Sequence, residues 1–203
     1  MSLFAKDAYW KLQPIFKDKV PEDKNWWVGT KDLKIQLGCD KFFAEGWVNV
    51  DHRDLGQEIV CDLNTFPWPF ESESAERIIA HNVFEHLDKI TKVMEEVHRV
   101  LKPGGRINIC VPHGFFKGYF QDPTHTRGFS FETFDYFTSK RPYGYFDFQF
   151  SSAHTDIWLG KGLQFWNWLI EPVINISDLT KVFFEVTPLK VFLNGDLMVA
   201  MVK

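Results

Sequence analysis

The stretch Leu33-Lys-Ile-Gln-Leu-Gly-Cys-Asp-Lys-Phe-Phe-Ala-Glu-Gly-Trp-Val-Asn-Val-Asp51 decides the fold of this chain. Apolar residues alternate with polar ones over 33–37 and lead into Gly38, a pattern typical of a buried strand that opens onto a binding loop. A second short strand over 48–50 ends at Asp51. A strand, a glycine turn, a short crossover and an acid at the next strand tip indicate the nucleoside-binding half of a doubly wound α/β sheet, in which the acid accepts hydrogen bonds from ribose hydroxyls.

A structural interpretation of the same stretch stays open, in which Gly38 only tightens a strand-to-helix turn and Asp51 only caps a loop. A dinucleotide site is disfavoured, because Asp40 stands where Gly-x-Gly-x-x-Gly has its second glycine and because Asp51 follows Gly38 by about 13 residues instead of about 20. The crossover is near the minimum length for a parallel connection, about 10 to 12 residues, so a helix within it can have only one or two turns.

The composition indicates one globular domain. The chain has 203 residues, of which 45% are hydrophobic, and this is enough for one buried core. A formal net charge of -4 and the lack of a basic block disfavour nucleic acid as a partner. Three cysteines without Cys-x-x-Cys spacing indicate free thiols in a reducing compartment. No apolar run approaches the roughly 18 residues of a membrane span and the N-terminus lacks the features of a signal peptide, so we expect a cytoplasmic protein without membrane insertion.

Strands and helices continue to alternate after Asp51, which favours a parallel sheet covered on both faces. Asp62, at the end of the third strand, either accepts a hydrogen bond from an adenine amino group or caps the proline-rich turn that follows it. A helix is predicted from apolar residues at i, i+3 and i+4 spacing, and Pro103-Gly104-Gly105 stops it. The predicted elements are strands over Glu58–Asp62, Glu76–Ala80 and Arg106–Val111 and a helix over Lys89–Lys102.

The carboxyl ends of these predicted strands carry glycine, acidic or histidine residues. In a doubly wound sheet the ligand lies beyond the carboxyl ends of the strands, where the strand order reverses. The agreement among the strand ends therefore predicts a ligand site at this edge. The residues concerned are Gly38, Asp51, Asp62, His81 and His113.

The ends of the chain show weaker patterns. Residues 1–31 mix aromatic residues with lysines and prolines, and we expect an irregular or part-helical lead-in that either packs over the sheet edge or the cofactor pocket or is a loosely docked terminus. Ser130 is predicted to cap a short helix over Phe131–Phe137, and the alternation over Phe146–Phe150 predicts a half-buried strand.

Two further segments of the C-terminal third leave alternatives open. The segment 160–176 is a lid, a membrane-surface helix or a dimer face, and its few lysines and arginines disfavour the membrane. A final buried strand is predicted over Asp196–Lys203. Asn194-Gly195 before it either closes a hairpin with Leu189–Leu193 or ends a helix.

Six segments, in this order, resemble the small class I S-adenosylmethionine-dependent methyltransferases of the methyltransferase-11 type. They are Leu37-Gly-Cys-Asp40, Gly46-Trp-Val-Asn-Val-Asp51, Cys61-Asp62-Leu63, His81-Asn-Val-Phe-Glu-His86, Arg99-Val-Leu-Lys-Pro-Gly-Gly105 and Asp122-Pro-Thr-His125. The resemblance implies a doubly wound, mostly parallel seven-stranded sheet with an antiparallel last strand. We expect a single domain over 1–203, with a lead-in (1–31), a cofactor-binding core (33–112), an acceptor or lid region (113–180) and final strands (181–203).

The same resemblance implies that S-adenosylmethionine lies across the strand tips. Gly38 would then face the methionine part, Asp51 the ribose and Asp62 the adenine, with the loop from His81 near the transferable methyl group. These proteins generally carry Gly-Cys-Gly where this chain has Asp40 as the third residue, and a carboxylate there either pairs with the cofactor's ammonium group or crowds its carboxylate. The full implied set is Gly38, Cys39, Asp40, Asp51, Asp62, Leu63, His81 and Asn82.

Methyl transfer to a hydroxyl or a protonated amine requires alignment and a base, and histidine titrates in the useful range. The candidate bases are His113, His125 and His81, each in a loop at the expected edge. The loop Asp122–Arg127 gathers an acid, a base and a cation, although Asp122 and Arg127 could simply brace one another.

A metal site is not expected from the sequence. Glu85 and His86 are adjacent and His81 is near, but a tetrahedral zinc set would need ligands that the sequence does not supply nearby. We instead expect Glu85 to cap the start of the following helix and His86 to be buried.

The sequence therefore predicts S-adenosylmethionine-dependent methyl transfer to a small-molecule acceptor, with a hydroxyl oxygen favoured over nitrogen or carbon. We expect a monomer or homodimer. The alternative is a catalytically silent cofactor-binding or interaction domain on the same fold.

Overall fold

A seven-stranded sheet organises the residues that the computed structural model describes, which are 16–17, 22–141, 143–160, 166–192 and 195–203. For 16–17 and 191–192 only the backbone is described. The strands are β1 (Phe16–Lys17), β2 (Leu33–Leu37), β3 (Phe43–Ala44), β4 (Val48–Asp51), β5 (Ile59–Val60), β6 (Ala75–His81), β7 (Leu101–Pro112), β8 (Ser152–Leu159) and β9 (Gly195–Val202). The helices are α1 (Ile90–Val100), α2 (Lys117–Gln121), α3 (Asn167–Ile174), α4 (Asp178–Val186) and α5 (Leu189–Phe192), with 3-10 turns at Phe84–His86 and Thr133–Phe137.

The strand order is β5-β4-β2-β6-β7-β9-β8, so the order reverses between β2 and β6. Neighbouring strands from β5 to β7 are parallel, whereas β9 runs antiparallel to both β7 and β8. The predicted α/β architecture, mostly parallel with an antiparallel last strand, is confirmed.

The crossover between β2 and β4 contains the short strand β3 where the sequence left room only for a turn or two of helix. β3 pairs with β1 in a small antiparallel sheet. Polar side chains of the main sheet bind its backbone, because the Ala44 N–H donates to Asn49 Oδ1 at 2.7 Å and to Gln36 Oε1 at 3.1 Å. Of the rest of the predicted lead-in, residues 1–15 and 18–21 lie outside the described residues, and residues 22–31 form turns and bends.

Helix α1 covers one face of the sheet, as its periodicity predicts. Its buried apolar residues include Val93, Met94 and Val97. The predicted cap by Glu85 is wrong, since Glu85 belongs to the preceding 3-10 turn. The Asn64 side chain instead accepts hydrogen bonds from the N–H groups of Asp88 and Lys89, at 3.0 and 3.4 Å, just before the helix.

Two short elements differ from the sequence prediction. β5 covers only Ile59–Val60 of the predicted 58–62, because it lies at the sheet edge and the chain turns at Asp62. No strand forms over 146–150. The Phe146 and Phe148 rings stack on Phe137 at centroid distances of 4.8 and 6.2 Å, so their spacing reflects aromatic packing instead of a pleat.

The predicted helix over 131–137 is a 3-10 turn over Thr133–Phe137 without a side-chain cap. The Ser130 side chain was predicted to cap this segment, but the Ser130 N–H instead donates to the Thr133 hydroxyl at 2.9 Å. The hairpin alternative for Asn194-Gly195 is also wrong, because residues 189–192 form α5.

Helix α3 covers the edge strand β8. The Leu159 N–H donates to Glu171 Oε2 at 3.0 Å, and the Asn175 side chain bonds both the N–H and the carbonyl of Ile157, at 2.9 and 2.7 Å. These contacts occupy backbone groups that an uncovered edge strand would expose. This part of the predicted lid segment is therefore tied to the sheet, while 161–165 lie outside the described residues. Among the helices the structure describes, none has the length and apolar character needed to cross a membrane.

Candidate active site

Gly38 begins the loop at the tip of β2, and two features require glycine there. Its φ of +63° lies in the left-handed region. A Cβ at this position would lie 2.3 Å from Val83 Cγ2, because the loop after β6 packs directly on the glycine. The missing side chain therefore lets the tips of β2 and β6 approach each other.

The Asp51 carboxylate, at the tip of β4, is buried and joins two loops. Its Oδ2 accepts from the Asp40 N–H at 3.0 Å, and its Oδ1 accepts from the Arg53 N–H at 3.0 Å. His52 Nδ1 lies 3.2 Å from Oδ1. The glycine loop and the acid, which are separated in sequence, thus form one bonded unit.

Asp40 adopts a φ of +44°, which aspartate tolerates better than most residues. Its half-exposed carboxylate pairs with Arg53 Nη2 at 2.8 Å. The left-handed backbone explains how aspartate can occupy a position that is generally glycine. Next to it, burial and the charge of Asp51 raise the pKa of the Cys39 thiol to about 12, so this thiol stays protonated.

Asp62 has an exposed carboxylate that organises the turn after β5. It accepts from the Asn64 N–H at 2.9 Å and the Thr65 hydroxyl at 3.3 Å, as the capping interpretation predicted. Leu63 is buried, and its carbonyl accepts from Trp68 Nε1 at 3.2 Å. Within the described residues, the Leu63 N–H has no hydrogen-bond partner, so Asp62 and Leu63 offer an acceptor and a donor side by side.

His81 ends β6 and Asn82 follows with a φ of +50°. The Asn82 N–H donates to the Cys110 carbonyl at 2.9 Å, which holds this tip against β7. Burial lowers the pKa of His81 to about 4, so its imidazole is neutral near pH 7.

The loop Asp122–Arg127 docks beside this tip and brings His125 to Glu85 and His86, and we call these three residues the histidine cluster. The His86 and His125 rings meet edge to face at a centroid distance of 4.8 Å. The Thr126 N–H donates to the Glu85 carbonyl at 2.7 Å. Arg127 Nη2 donates to the Asp88 carbonyl at 2.5 Å, so Arg127 braces the β6 loop and not Asp122.

The three residues of the histidine cluster are buried to different degrees, and the predicted burial of His86 is only partly met. Glu85 is buried and His86 is only half-buried. Burial, assisted by the charges of Asp196 and Asp122, raises the pKa of Glu85 to about 8. Burial also raises the pKa of Asp196 to about 6.

His113 lies apart from the histidine cluster with no exposed surface. Its Nε2 is 2.7 Å from Glu185 Oε1 on α4, and its Nδ1 accepts from the Phe115 N–H at 3.2 Å. The ring also stacks on Phe116 at 4.4 Å. His113 therefore links the end of β7 to α4, and both ring nitrogens are engaged.

Sequence reasoning missed two contributions to this edge. Asp196 lies opposite Pro112 at the amino end of the antiparallel strand β9, and this end of β9 meets the carboxyl ends of the parallel strands. Gly114 and Gly128 let the docked loop approach β7, since a Cβ on Gly128 would lie 2.9 Å from the Gly114 Cα. In the sequence, the glycines that flank the Asp-Pro-Thr-His segment were the signal that could have predicted this docking of the loop.

The comparisons with known proteins concern the fold and the middle part of the chain. The family described as "Methyltransferase domain" matches residues 43–109. No curated protein gives a significant sequence match.

Several solved structures share the fold at low sequence identity. A methyltransferase dependent on S-adenosylmethionine from Archaeoglobus fulgidus has a TM-score of 0.56 and 12% identity, with 88% of each chain covered. Phosphoethanolamine N-methyltransferase 2 of Haemonchus contortus, solved with S-adenosylmethionine, has a TM-score of 0.54 and 14% identity over all of this chain and 57% of its own. A possible histamine N-methyltransferase of Thermotoga maritima has a TM-score of 0.52 and 12% identity, with 100% and 89% covered.

The structural likeness establishes the fold, and the family match covers Asp51, Asp62 and the β6 tip, whereas the glycine loop over 38–40 lies just before the matched residues. The methyltransferase domain match over residues 43–109, on the class I fold, therefore supports S-adenosylmethionine-dependent methyl transfer with S-adenosylmethionine as the cofactor.

Proposed function

We propose that this enzyme methylates a hydroxyl oxygen of a small-molecule acceptor bound against the histidine cluster. The cofactor would lie across the tips of β2, β4, β5 and β6. Its predicted contacts remain Gly38, Cys39, Asp40, Asp51, Asp62, Leu63, His81 and Asn82.

One observation carries the cofactor assignment: Asp51 Oδ2 is bonded to the Asp40 amide, which makes the glycine loop and the acid one cradle. A carboxylate oxygen can accept more than one hydrogen bond, so Asp51 retains capacity for ribose hydroxyls. The outward pairing of Asp40 with Arg53 supports a cofactor carboxylate passing the loop without crowding.

At the adenine end, the Asp62 carboxylate would accept from the exocyclic amino group and the Leu63 N–H would donate to the neighbouring ring nitrogen. The existing turn contacts of Asp62 support this role, because they fix the carboxylate before the ligand arrives.

The reaction is an in-line displacement in which the acceptor oxygen forms a bond to the methyl carbon as the carbon–sulfur bond breaks. The acceptor proton must leave, and we assign its removal to the histidine cluster, with His125 as the member on the docked loop. His113 would position α4 against β7, because its enclosed ring faces Glu185 and Phe116. Alignment supplies the larger part of the rate, and a base adds about 10² to 10⁴-fold.

A catalytically silent interaction domain is the second candidate, and one observation favours it. Exposed apolar side chains on α3 and α4, including Trp168, Leu169, Leu179 and Phe183, form a surface suited to a partner. Cofactor binding and turnover distinguish the two candidates.

Calorimetry with S-adenosylmethionine and S-adenosylhomocysteine tests the assignment. We expect micromolar binding by the wild type and at least tenfold weaker binding by Asp51→Ala, since it loses the ribose acceptor. Asp54→Ala is the matched control, because it removes an exposed carboxylate three residues away. No heat at millimolar cofactor, or equal losses in the two variants, contradicts the proposed cradle.

A further inference from the structure

The histidine cluster has the composition of a transition-metal site. Glu85, His86 and His125 each offer a ligand atom, and these atoms lie within 4.8 Å of one another. Two imidazoles and one carboxylate suit Zn²⁺ and related divalent ions. His125 arrives from a loop about 40 residues away in sequence, which explains why local spacing gave no metal signal.

A second observation points to a missing ligand. Glu85 is 1% exposed, yet its Oε2 has no hydrogen-bond partner in the described part of the chain. A buried carboxyl oxygen without a partner is costly, and a cation that takes the place of the acid proton is one of the few groups that can compensate it.

The hydrogen bonds of the two histidines direct the same ring nitrogen toward a ligand. His125 Nδ1 lies 2.8 Å from the Tyr119 carbonyl, which can only accept, so Nδ1 carries the proton. The Thr124 hydroxyl donates to Asp122 Oδ1 at 2.6 Å, so at 2.9 Å from His86 Nδ1 it acts as the acceptor and that nitrogen is also protonated. In the neutral rings, both Nε2 atoms then carry the lone pair.

These contacts are the usual supports of metal-binding histidines, which donate their other ring N–H to a carbonyl or toward a carboxylate. Atoms bound tetrahedrally to Zn²⁺ at about 2.0–2.2 Å lie roughly 3.3–3.5 Å apart. The cluster would therefore tighten by about 1 Å on binding, a shift that rotation of half-buried side chains can supply.

We propose that Glu85, His86 and His125 bind one divalent transition-metal ion, of the Zn²⁺ class, at the carboxyl edge of the sheet. Three protein ligands leave a position open for an external ligand, as in catalytic and not structural zinc sites. Where the proposed function holds, that ligand is the acceptor oxygen, and the histidine cluster then promotes loss of the acceptor proton to solvent through the bound ion and not as a free base.

Calorimetry of the protein, stripped with EDTA and titrated with ZnCl₂ at pH 7 without cofactor, tests the site. We expect one ion per chain, and at least 100-fold weaker binding by His86→Ala/His125→Ala. Glu85→Gln, which keeps the side-chain shape, should also bind at least tenfold more weakly. The control is His52→Ala/His154→Ala, because each of these exposed histidines also has an aspartate oxygen at 3.2 Å.

Absence of one-to-one binding, or equal affinity in the double-histidine variant and its control, overturns the metal site. Circular dichroism checks that each variant is folded, and the double-histidine change carries the test if Glu85→Gln does not fold. Acetohydroxamate should shift the absorption of the Co²⁺-loaded protein, whereas an unchanged spectrum would exclude the open position. Cofactor binding without Zn²⁺ binding overturns this inference alone, and Zn²⁺ binding without cofactor binding overturns only the proposed function.

Discussion

At the scale of single residues, glycine is required at position 38 for two reasons, the positive φ of the backbone and the close packing of Val83, and substitutions can test the two reasons separately. Gly38→Ala places a side chain at a positive φ and within 2.3 Å of Val83 Cγ2. Gly46 has a φ of +73°, and a Cβ added there would meet nothing within 4 Å, so Gly46→Ala tests the backbone requirement alone. The two substitutions are therefore a matched pair.

We expect Gly46→Ala to lower the free energy of unfolding by about 1–2 kcal/mol, the cost of the left-handed conformation. Gly38→Ala should lose about 1–3 kcal/mol more because of the contact with Val83. Urea denaturation measures both values. Val83→Ala should cost less in the Gly38→Ala background than in the wild type, and equal losses for the two glycines would show that Val83 does not restrict this position.

His81 gives a pH dependence whose sign follows from its pKa. Burial lowers the pKa from 6.5 to about 4 in the folded protein, so the unfolded chain binds the proton first as pH falls. The contribution of the neutral His81 to the free energy of unfolding is therefore complete above pH 6.5, and it is lost as the pH falls toward 4. Between pH 7 and pH 5 we expect this residue to reduce the free energy of unfolding by at most about 2 kcal/mol.

Urea denaturation of His81→Asn at the two pH values measures this contribution. The variant should lose less stability between pH 7 and pH 5 than the wild type. His154→Asn, at an exposed position, should keep the wild-type loss because His81 is unchanged. An identical loss in all three proteins would contradict the burial of a neutral His81.

At the scale of elements, long periodic segments were predicted well and short ones were not. The spacing of Val93, Met94 and Val97 identified α1 to within two residues at each end, since its apolar face must meet the sheet. The same reasoning failed over 146–150, where the Phe146 and Phe148 rings stack on Phe137 and imitate strand alternation. Alternation alone does not distinguish a pleat from an aromatic stack.

Docking of the Asp122–Arg127 loop depends on contact between Gly114 and Gly128. The Gly114 N–H donates to the Phe129 carbonyl at 2.8 Å, and a Cβ on Gly128 would lie 2.9 Å from the Gly114 backbone. We expect Gly128→Ala to lower the free energy of unfolding by about 1–3 kcal/mol, because backbone cannot rotate away as a side chain can. Urea denaturation measures this loss.

Limited trypsin digestion reports whether the loop itself is displaced by Gly128→Ala, through faster cleavage after Arg127. Gly118→Ala is the matched control, since Gly118 lies in α2 with nothing within 4 Å and alanine favours helix there by up to about 1 kcal/mol. Loss of stability without faster cleavage at Arg127 would show that the damage lies outside this loop.

At the scale of the whole molecule, the candidate active site lies where two kinds of strand end meet. The carboxyl ends of parallel strands could be located from sequence, and this correctly placed Gly38, Asp51 and His81 at one edge. Asp196 could not be placed in this way, because only the antiparallel course of β9 brings its amino end to the same edge. The contact of His125 with His86 was equally hidden, since it depends on how a loop of irregular backbone docks.

The sheet also has an uneven distribution of stability, and cofactor binding should act on its weaker side. β9 is paired on both sides over 196–202, whereas β5 has two residues, and Val60 is 57% exposed. In hydrogen exchange we expect the slowest amides in β6, β7 and β9 and fast exchange in β5.

S-adenosylmethionine should slow exchange over 38–41 and 61–65, because binding stabilises the strand tips that it bridges. The edge formed by β8 and α3 is the internal control, and Asp51→Ala should abolish the change. Protection that appears instead around Lys102–Arg106, at the opposite edge of the sheet, would place the cofactor on the wrong side and refute the site.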